Sequence, residues 1–138
     1  MEKFVDVILP LPLHACFTYS LPEDMAESVQ IGCRVVVPFG RKKYYTAIVQ
    51  NIHYSAPAGY EVKEVSALLD AHPILLSEQF RFWDWLADYY LCTRGDVYKA
   101  ALPSGLKLES ETIVEYNPDF ESDVQLPEKE QKILDLLA

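Results

Sequence analysis

The chain has 138 residues and a formal net charge of -9, and half of its residues are apolar, with nine Tyr, six Phe and two Trp. That composition excludes a disordered chain, and no run approaches the roughly 18 apolar residues of a membrane span. The acidity argues against broad nonspecific nucleic-acid binding but not against a small dedicated site.

The charge is unevenly placed. Residues 1–105 hold nine Lys/Arg against twelve Asp/Glu, whereas residues 106–138 hold three against nine. The start, "MEKFVDVILPLPLH", lacks the basic segment and small-residue cleavage site of a signal peptide. Within it "KFVDVIL" predicts a strand, halted by Pro10 and Pro12. "CFTYSL" alternates as a second strand until Pro22-Glu23-Asp24, a turn composition. "CRVVVPF" and "YYTAIVQNIHY" flank Gly40-Arg41-Lys42-Lys43 and predict a hairpin, with Gly40 supplying a positive φ at the tip. "SAPAGY" reads as a loop, and "VKEVSALLD" as one more strand before the turn at His72-Pro73. Short strands at this spacing predict a small barrel or a strongly curved sheet.

The second half changes period. Ser77 is the expected N-cap of a helix over "EQFRFWDWLADYYLC". Phe80, Trp83, Ala87 and Tyr90 form its apolar stripe, widened by Phe82, Leu86 and Tyr89. Thr93-Arg94-Gly95 is expected to end it, and a short helix should run from Asp96 to Pro103. "TIVEY" is a possible further strand, and "NPDFESDVQLP" an acidic linker. "PEKEQKILDLLA" then opens an amphipathic helix with Ile133, Leu136 and Leu137 on one side. Its apolar face finds no partner in the remaining sequence, so the chain is expected to be the amino-terminal part of a larger protein.

Little here suggests covalent chemistry. No G-x-x-x-x-G-K phosphate loop, H-E-x-x-H, nucleophile elbow or dinucleotide fingerprint occurs. Cys16, Cys33 and Cys92 form no C-x-x-C pair, and the expected compartment is the reducing cytoplasm. His14, His53 and His72 are scattered, and Asp84 and Asp88 suit a solvated helix face. The hairpin tip differs. Arg41, Lys42 and Lys43 beside Tyr44 and Tyr45 combine cations with flat rings, a mixture suited to phosphates and unstacked bases. The same cations suit a solvated turn that blunts a sheet edge, and composition leaves both readings open.

Taken in order, "VDVILPLPLHACFTYSLPE", "IGCRVVVPFGRKK", "EVKEVSALLD", "FWDWLADYYLCTRGDVYKAALP" and "SGLK" resemble the amino-terminal region of one family. That family is primosomal protein N′ (PriA), the bacterial replication-restart DNA helicases, and the resemblance covers residues 4 to 107. It implies an α+β fold in which residues 1–107 form a strand-rich, barrel-like 3′ DNA-binding domain with a C-terminal helical part. Residues 108–126 would be an acidic linker with one possible strand, and 127–138 the truncated first helix of a winged-helix domain. The implied task is capture of the 3′ end of a nascent leading strand at a stalled fork, for primosome assembly. Implied partners are forked or single-stranded DNA with a 3′ end, single-strand-binding protein and other primosome proteins, with no membrane. The ATP, Mg and Zn sites of the 3′–5′ helicase would lie beyond this chain, so the resemblance implies no cofactor and no strand separation here. The alternative is a barrel that docks an acidic tail of a replication partner.

Carried over by position, the resemblance implies a terminal-nucleotide pocket at Phe17, Thr18, Gly40 and Lys63. Phe17 would offer a wall and backbone groups, Gly40 a close backbone approach, and Lys63 a cation for phosphate or a polar nucleotide atom. Arg41, Lys42, Lys43, Tyr44 and Tyr45 would guide the strand from outside. The family often has an aspartate where Thr18 stands, and a hydroxyl accepts a weaker hydrogen bond than a carboxylate does.

Overall fold

The computed structural model describes residues 1–119 and 124–137. Residues 120–123 of the expected linker, and Ala138 at the end of the expected last helix, lie outside the described residues. The strands are β1 (Phe4–Ile8), β2 (Phe17–Ser20), β3 (Arg34–Phe39), β4 (Lys43–His53) and β5 (Ala67–Leu68). The helices are α1 (Ser77–Tyr90), α2 (Arg94–Ala101) and α3 (Glu128–Leu137), with a 3-10 turn at Ser104–Leu106. The fold is α+β. No helix among the described residues is long and apolar enough to cross a membrane.

All ladders of the sheet are antiparallel, in the order β2-β1-β4-β3-β5. The predicted hairpin forms in register, with Phe39 opposite Lys43 and Val35 opposite Ala47. Gly40 takes φ +74° at its tip, a backbone conformation that side chains with a Cβ disfavour. The β1–β4 register slips between Asp6 and Val7, leaving Gln50 as an extra residue. Such a bulge bends the strand and sharpens its twist.

The sheet curls until one extended segment bridges its two edges. Ser20 N–H donates to Lys63 O at 3.0 Å and Val65 N–H to Ser20 O at 3.0 Å. One residue later Ser66 N–H donates to Val36 O at 2.8 Å, and Leu69 N–H donates to Arg34 O at 3.0 Å. The expected strand over "VKEVSALLD" is therefore split. Its first half closes on β2 and its second half on β3, so only Ala67–Leu68 forms a ladder.

Alternation along the strands gives two cores. Val5, Val7, Leu9, Tyr19, Val35, Val37, Ala47, Val49 and Val65 fill the barrel interior. Ile8 and Ile48 face outward, under Leu75, Trp83, Ala87, Val97, Tyr98 and Leu102. Trp83 stacks on Tyr98 with centroids 5.9 Å apart, and Tyr98 Oη donates to Thr46 O at 2.7 Å. Burial pushes the Tyr98 phenol well up, so it stays a donor.

Three local expectations change. Leu76 rather than Ser77 is the N-cap of α1, its N–H donating to Gln79 Oε1 at 2.8 Å. Thr93 caps the second helix instead of closing the first: its hydroxyl accepts from Asp96 N–H at 3.1 Å, and its own N–H donates to Asp96 Oδ2 at 3.0 Å. Helix α2 thus starts at Arg94 and includes Gly95, where a Cβ would stand 1.8 Å from Leu11 O and 2.6 Å from Leu9 O. Only glycine lets this helix lie on the β1–β2 connection. "TIVEY" forms no strand. The tail instead meets β4 earlier, through Thr46 N–H to Leu108 O at 3.2 Å and Ser110 N–H to Tyr44 O at 3.3 Å. Arg34 fastens the frame: its guanidinium and N–H grip Asp70 (2.6 to 2.9 Å), and Nη1 reaches Leu106 O at 2.9 Å.

Candidate functional site

The closing segment covers β2 only at Ser20. In an antiparallel ladder the backbone polar groups of alternate residues point to opposite sides. Ser20 turns its N–H and C=O away from β1, toward residues 63 and 65. Thr18, two residues earlier, must do the same. Its amide and carbonyl face the open edge where the closing segment has not yet arrived.

That gap is a cavity of about 160 Å³ lined by Phe17, Thr18, Tyr19, Pro38, Phe39, Gly40, Tyr60, Glu61 and Lys63. Pockets that bury a drug-sized ligand run to about 300–1,000 Å³, so this one suits a single ring-sized group. Its walls are fixed. Phe17 meets Phe39 edge to face at 5.1 Å, and Phe39 meets Tyr45 at 6.2 Å. Tyr19 Oη donates to Pro38 O at 3.0 Å across the floor, and burial pushes its phenol up to about 12. Lys63 Nζ donates to Gly40 O at 2.9 Å, which ties the closing segment to the hairpin tip.

The structure brings Phe17, Thr18, Gly40 and Lys63 to one pocket. Arg41, Lys42 and Lys43 are exposed at the tip above it. Tyr44 and Tyr45 part company: Tyr44 is exposed, whereas Tyr45 turns inward against Phe39 and the barrel core. Strand alternation requires this, since neighbouring residues lie on opposite faces. Only Tyr44 shows an exposed ring beside the cations.

Sequence reasoning missed Tyr60, the last residue of the expected loop, and Glu61, which lies between that loop and the expected strand. It also missed what Thr18 touches. Thr18 pairs with Asp6 across the β1–β2 ladder, and its hydroxyl donates to Asp6 Oδ1 at 2.7 Å. His53 Nε2 lies 3.1 Å from the same oxygen, and Asn51 Nδ2 lies 3.4 Å from Oδ2. Burial pushes the Asp6 carboxyl up. The hydrogen bonds of Thr18 and His53, the His53 charge and the Asn51 contact outweigh it and hold the group below its usual value.

A second surface lies on the far side of α1. Phe82 stacks on Trp85 with centroids 6.2 Å apart, Trp85 on Tyr89 at 5.0 Å, and Tyr89 meets Tyr90 at 4.9 Å. All four are more than half exposed. The expected apolar face is narrower than its aromatic content suggested, since only Trp83 and Ala87 of this helix are buried. No group of His, Cys, Asp and Glu among the described residues is arranged to hold a metal ion.

Known proteins match this sequence. The family model for the PriA 3′ DNA-binding domain (3′BD) matches residues 6–103, and one for a winged helix domain matches residues 111–138. The replication restart protein PriA of Haemophilus influenzae is 40% identical over 110 residues, covering 76% of this chain and 14% of that protein. The PriA of Bacillus subtilis is 32% identical over 120 residues (86% of this chain, 15% of that protein), and that of Treponema pallidum 28% over 108 residues (75% and 16%). The chain thus spans about one seventh of the length of these relatives. With the matched domain covering more than half of its residues, the chain belongs to the PriA family and carries its 3′ DNA-binding domain.

Proposed function

We propose that this chain recognises the 3′ end of a nascent leading strand at a stalled replication fork, as the DNA-binding part of a restart helicase that loads a primosome. The observation that carries this reading is the gap in the barrel wall. Edge-facing backbone groups of Thr18, the Phe17 and Phe39 rings, Gly40 and Lys63 converge on a cavity sized for one terminal group. A continuous strand needs an open channel, whereas an end needs a pocket. The terminal base would lie against Phe17 and Phe39, its sugar beside Gly40, and Lys63 would meet a polar or phosphate oxygen. Arg41, Lys42 and Lys43 would hold the following phosphates.

In this reading residues 1–107 are the DNA-binding unit, 108–126 an acidic linker and 127–138 the opening helix of a winged-helix domain. ATP hydrolysis and zinc binding would belong to parts of the protein beyond this chain. The exposed aromatic face of α1 favours a second, compatible role, contact with a primosome protein such as single-strand-binding protein. Apolar patches of this kind mark interaction surfaces.

The test is binding to two forks that differ only in whether a leading-strand 3′ end reaches the junction. The fork with the 3′ end should bind at least about tenfold more tightly, the difference one engaged pocket can supply. Equal affinities would leave the chain a general fork binder and remove the end-recognition role.

A further inference from the structure

The hydroxyl proton of Thr18 is already committed. Thr18 lines the cavity, while Oγ1 donates to Asp6 Oδ1 at 2.7 Å. An ionised carboxylate only accepts hydrogen bonds, whereas a hydroxyl has one proton to give and two lone pairs to offer. With the proton held by Asp6, only lone pairs face anything else near Oγ1. His53 Nε2 and Asn51 Nδ2 hold the carboxylate from β4 at 3.1 and 3.4 Å, so Asp6 is fixed from both neighbouring strands. The carboxyl is also kept below its usual value, so it is charged at neutral pH.

We propose that Asp6 is a positioning residue for strand-end selection: by taking the Thr18 proton it makes Thr18 an obligate acceptor, so the pocket selects a terminus that donates a hydrogen bond. A free 3′-hydroxyl donates. A 3′-O-methyl end offers only an acceptor, and a 3′-deoxy end offers neither. This rests on the reading that the cavity takes the terminal nucleotide, and it names the residue that sets the polarity of that contact.

The experiment is competition binding with three matched oligonucleotides ending in 3′-hydroxyl, 3′-O-methyl or 3′-deoxy. The proteins are the wild-type chain, Asp6→Ala, Asp6→Asn and Thr18→Val, with urea melts as a check on folding. The wild type should prefer the hydroxyl over both other ends by about three- to tenfold, the worth of one hydrogen bond. Thr18→Val should lose both preferences. Asp6→Ala frees the Thr18 proton, so the preference over the 3′-O-methyl end should collapse while that over the 3′-deoxy end remains. Asp6→Asn, whose amide can present either its oxygen or its NH₂, should fall between.

A residue that only braced the sheet would lower the melting midpoint and leave the hydroxyl-to-methoxy ratio at its wild-type value in both Asp6 variants. That result overturns the proposal even if one variant folds poorly. Wild-type indifference between hydroxyl and 3′-deoxy ends would instead remove the terminal-nucleotide reading, and this inference with it.

Discussion

Ile48 and Val49 are neighbours on β4, yet they belong to regions built on opposite rules. Ile48 faces outward under Trp83 and Tyr98, where the Tyr98 hydroxyl, the Thr46 carbonyl and the stacked rings satisfy one another. Val49 faces into the barrel, whose interior opens at one end onto a cavity. There the Thr18 backbone and the tip cations are turned toward solvent or toward a ligand, and the Lys63 ammonium, tied to Gly40 O by one hydrogen bond, has further donors to offer. The helix-covered face spends its polar groups on itself. The barrel mouth leaves them available, and its rigidity is borrowed from the closed face on the other side of the same strands. Pleat alternation divides stability from binding without needing separate domains.

If that division holds, damage to the closed face should cost stability and spare end binding. Trp83→Ala removes the largest side chain of α1 from the core beneath it. It should lower unfolding free energy by about 3–5 kcal/mol in urea titrations. The folded fraction should keep its affinity for a 3′-ended oligonucleotide. A parallel loss of affinity would mean that the mouth depends on how the helices seat.

The clamp between the regions should matter next. Arg34 joins β3 to Asp70 beyond the closing segment, with side chains only 15% and 9% exposed. Asp70→Asn should cost about 2 kcal/mol, the scale of a charged hydrogen-bond set. Hydrogen bonds from Arg34 outweigh burial and hold the Asp70 carboxyl below its ordinary value. The unfolded carboxyl titrates near about 3.9, so the stabilisation is fully present above that pH. It fades as pH falls through the lower folded value. Wild-type and variant urea midpoints should therefore differ at pH 7 and approach each other on acidification, with Asp6 supplying part of the acid sensitivity both retain. A constant gap down to pH 2 would remove Asp70 as the titrating group.

How much of this was legible beforehand follows the same division. The β-branched runs around Gly40, the proline stops and the change from strand to helix period at the aromatic stripe are local signals, and the strands, hairpin and helix pair follow from them. The register that sets Thr18 beside Asp6 depends on a connection from Leu9 to Cys16 that carries no periodic signal. The switch of residues 63–69 from β2 to β3 depends on barrel closure, which no local propensity encodes. Thr93 read as a stop because Thr-Arg-Gly resembles a helix end, yet Asp96 three residues later makes it a cap. The four pocket positions came from a family resemblance, and hydrophobic patterning alone would not have joined Lys63 to Gly40. Likewise Phe82, Tyr89 and Tyr90 belonged to the expected apolar stripe, yet all three are more than half exposed.

The smallest expected effect on the fold, and a sharp one on binding, concerns the tip. Arg41, Lys42 and Lys43 are exposed and make no ion pair among the described residues, and Gly40 beneath them sets the turn independently of their side chains. Replacing all three with alanine should therefore leave the urea midpoint nearly unchanged. If they follow the strand away from the pocket, binding should weaken and its dependence on salt should flatten. Each lost phosphate contact removes about 0.7 from the log–log slope on single strands and about 0.9 on duplex. A fall of about two in the slope on single strands would assign contacts to all three. The preference for a free 3′-hydroxyl should survive, because the groups that read the terminus lie inside the mouth and the cations lie outside it. If the triple variant instead loses that preference while the slope stays fixed, the tip reads the end and the cavity does not. The boundary between holding a strand and recognising its terminus would then have to move from Thr18 to the turn above it.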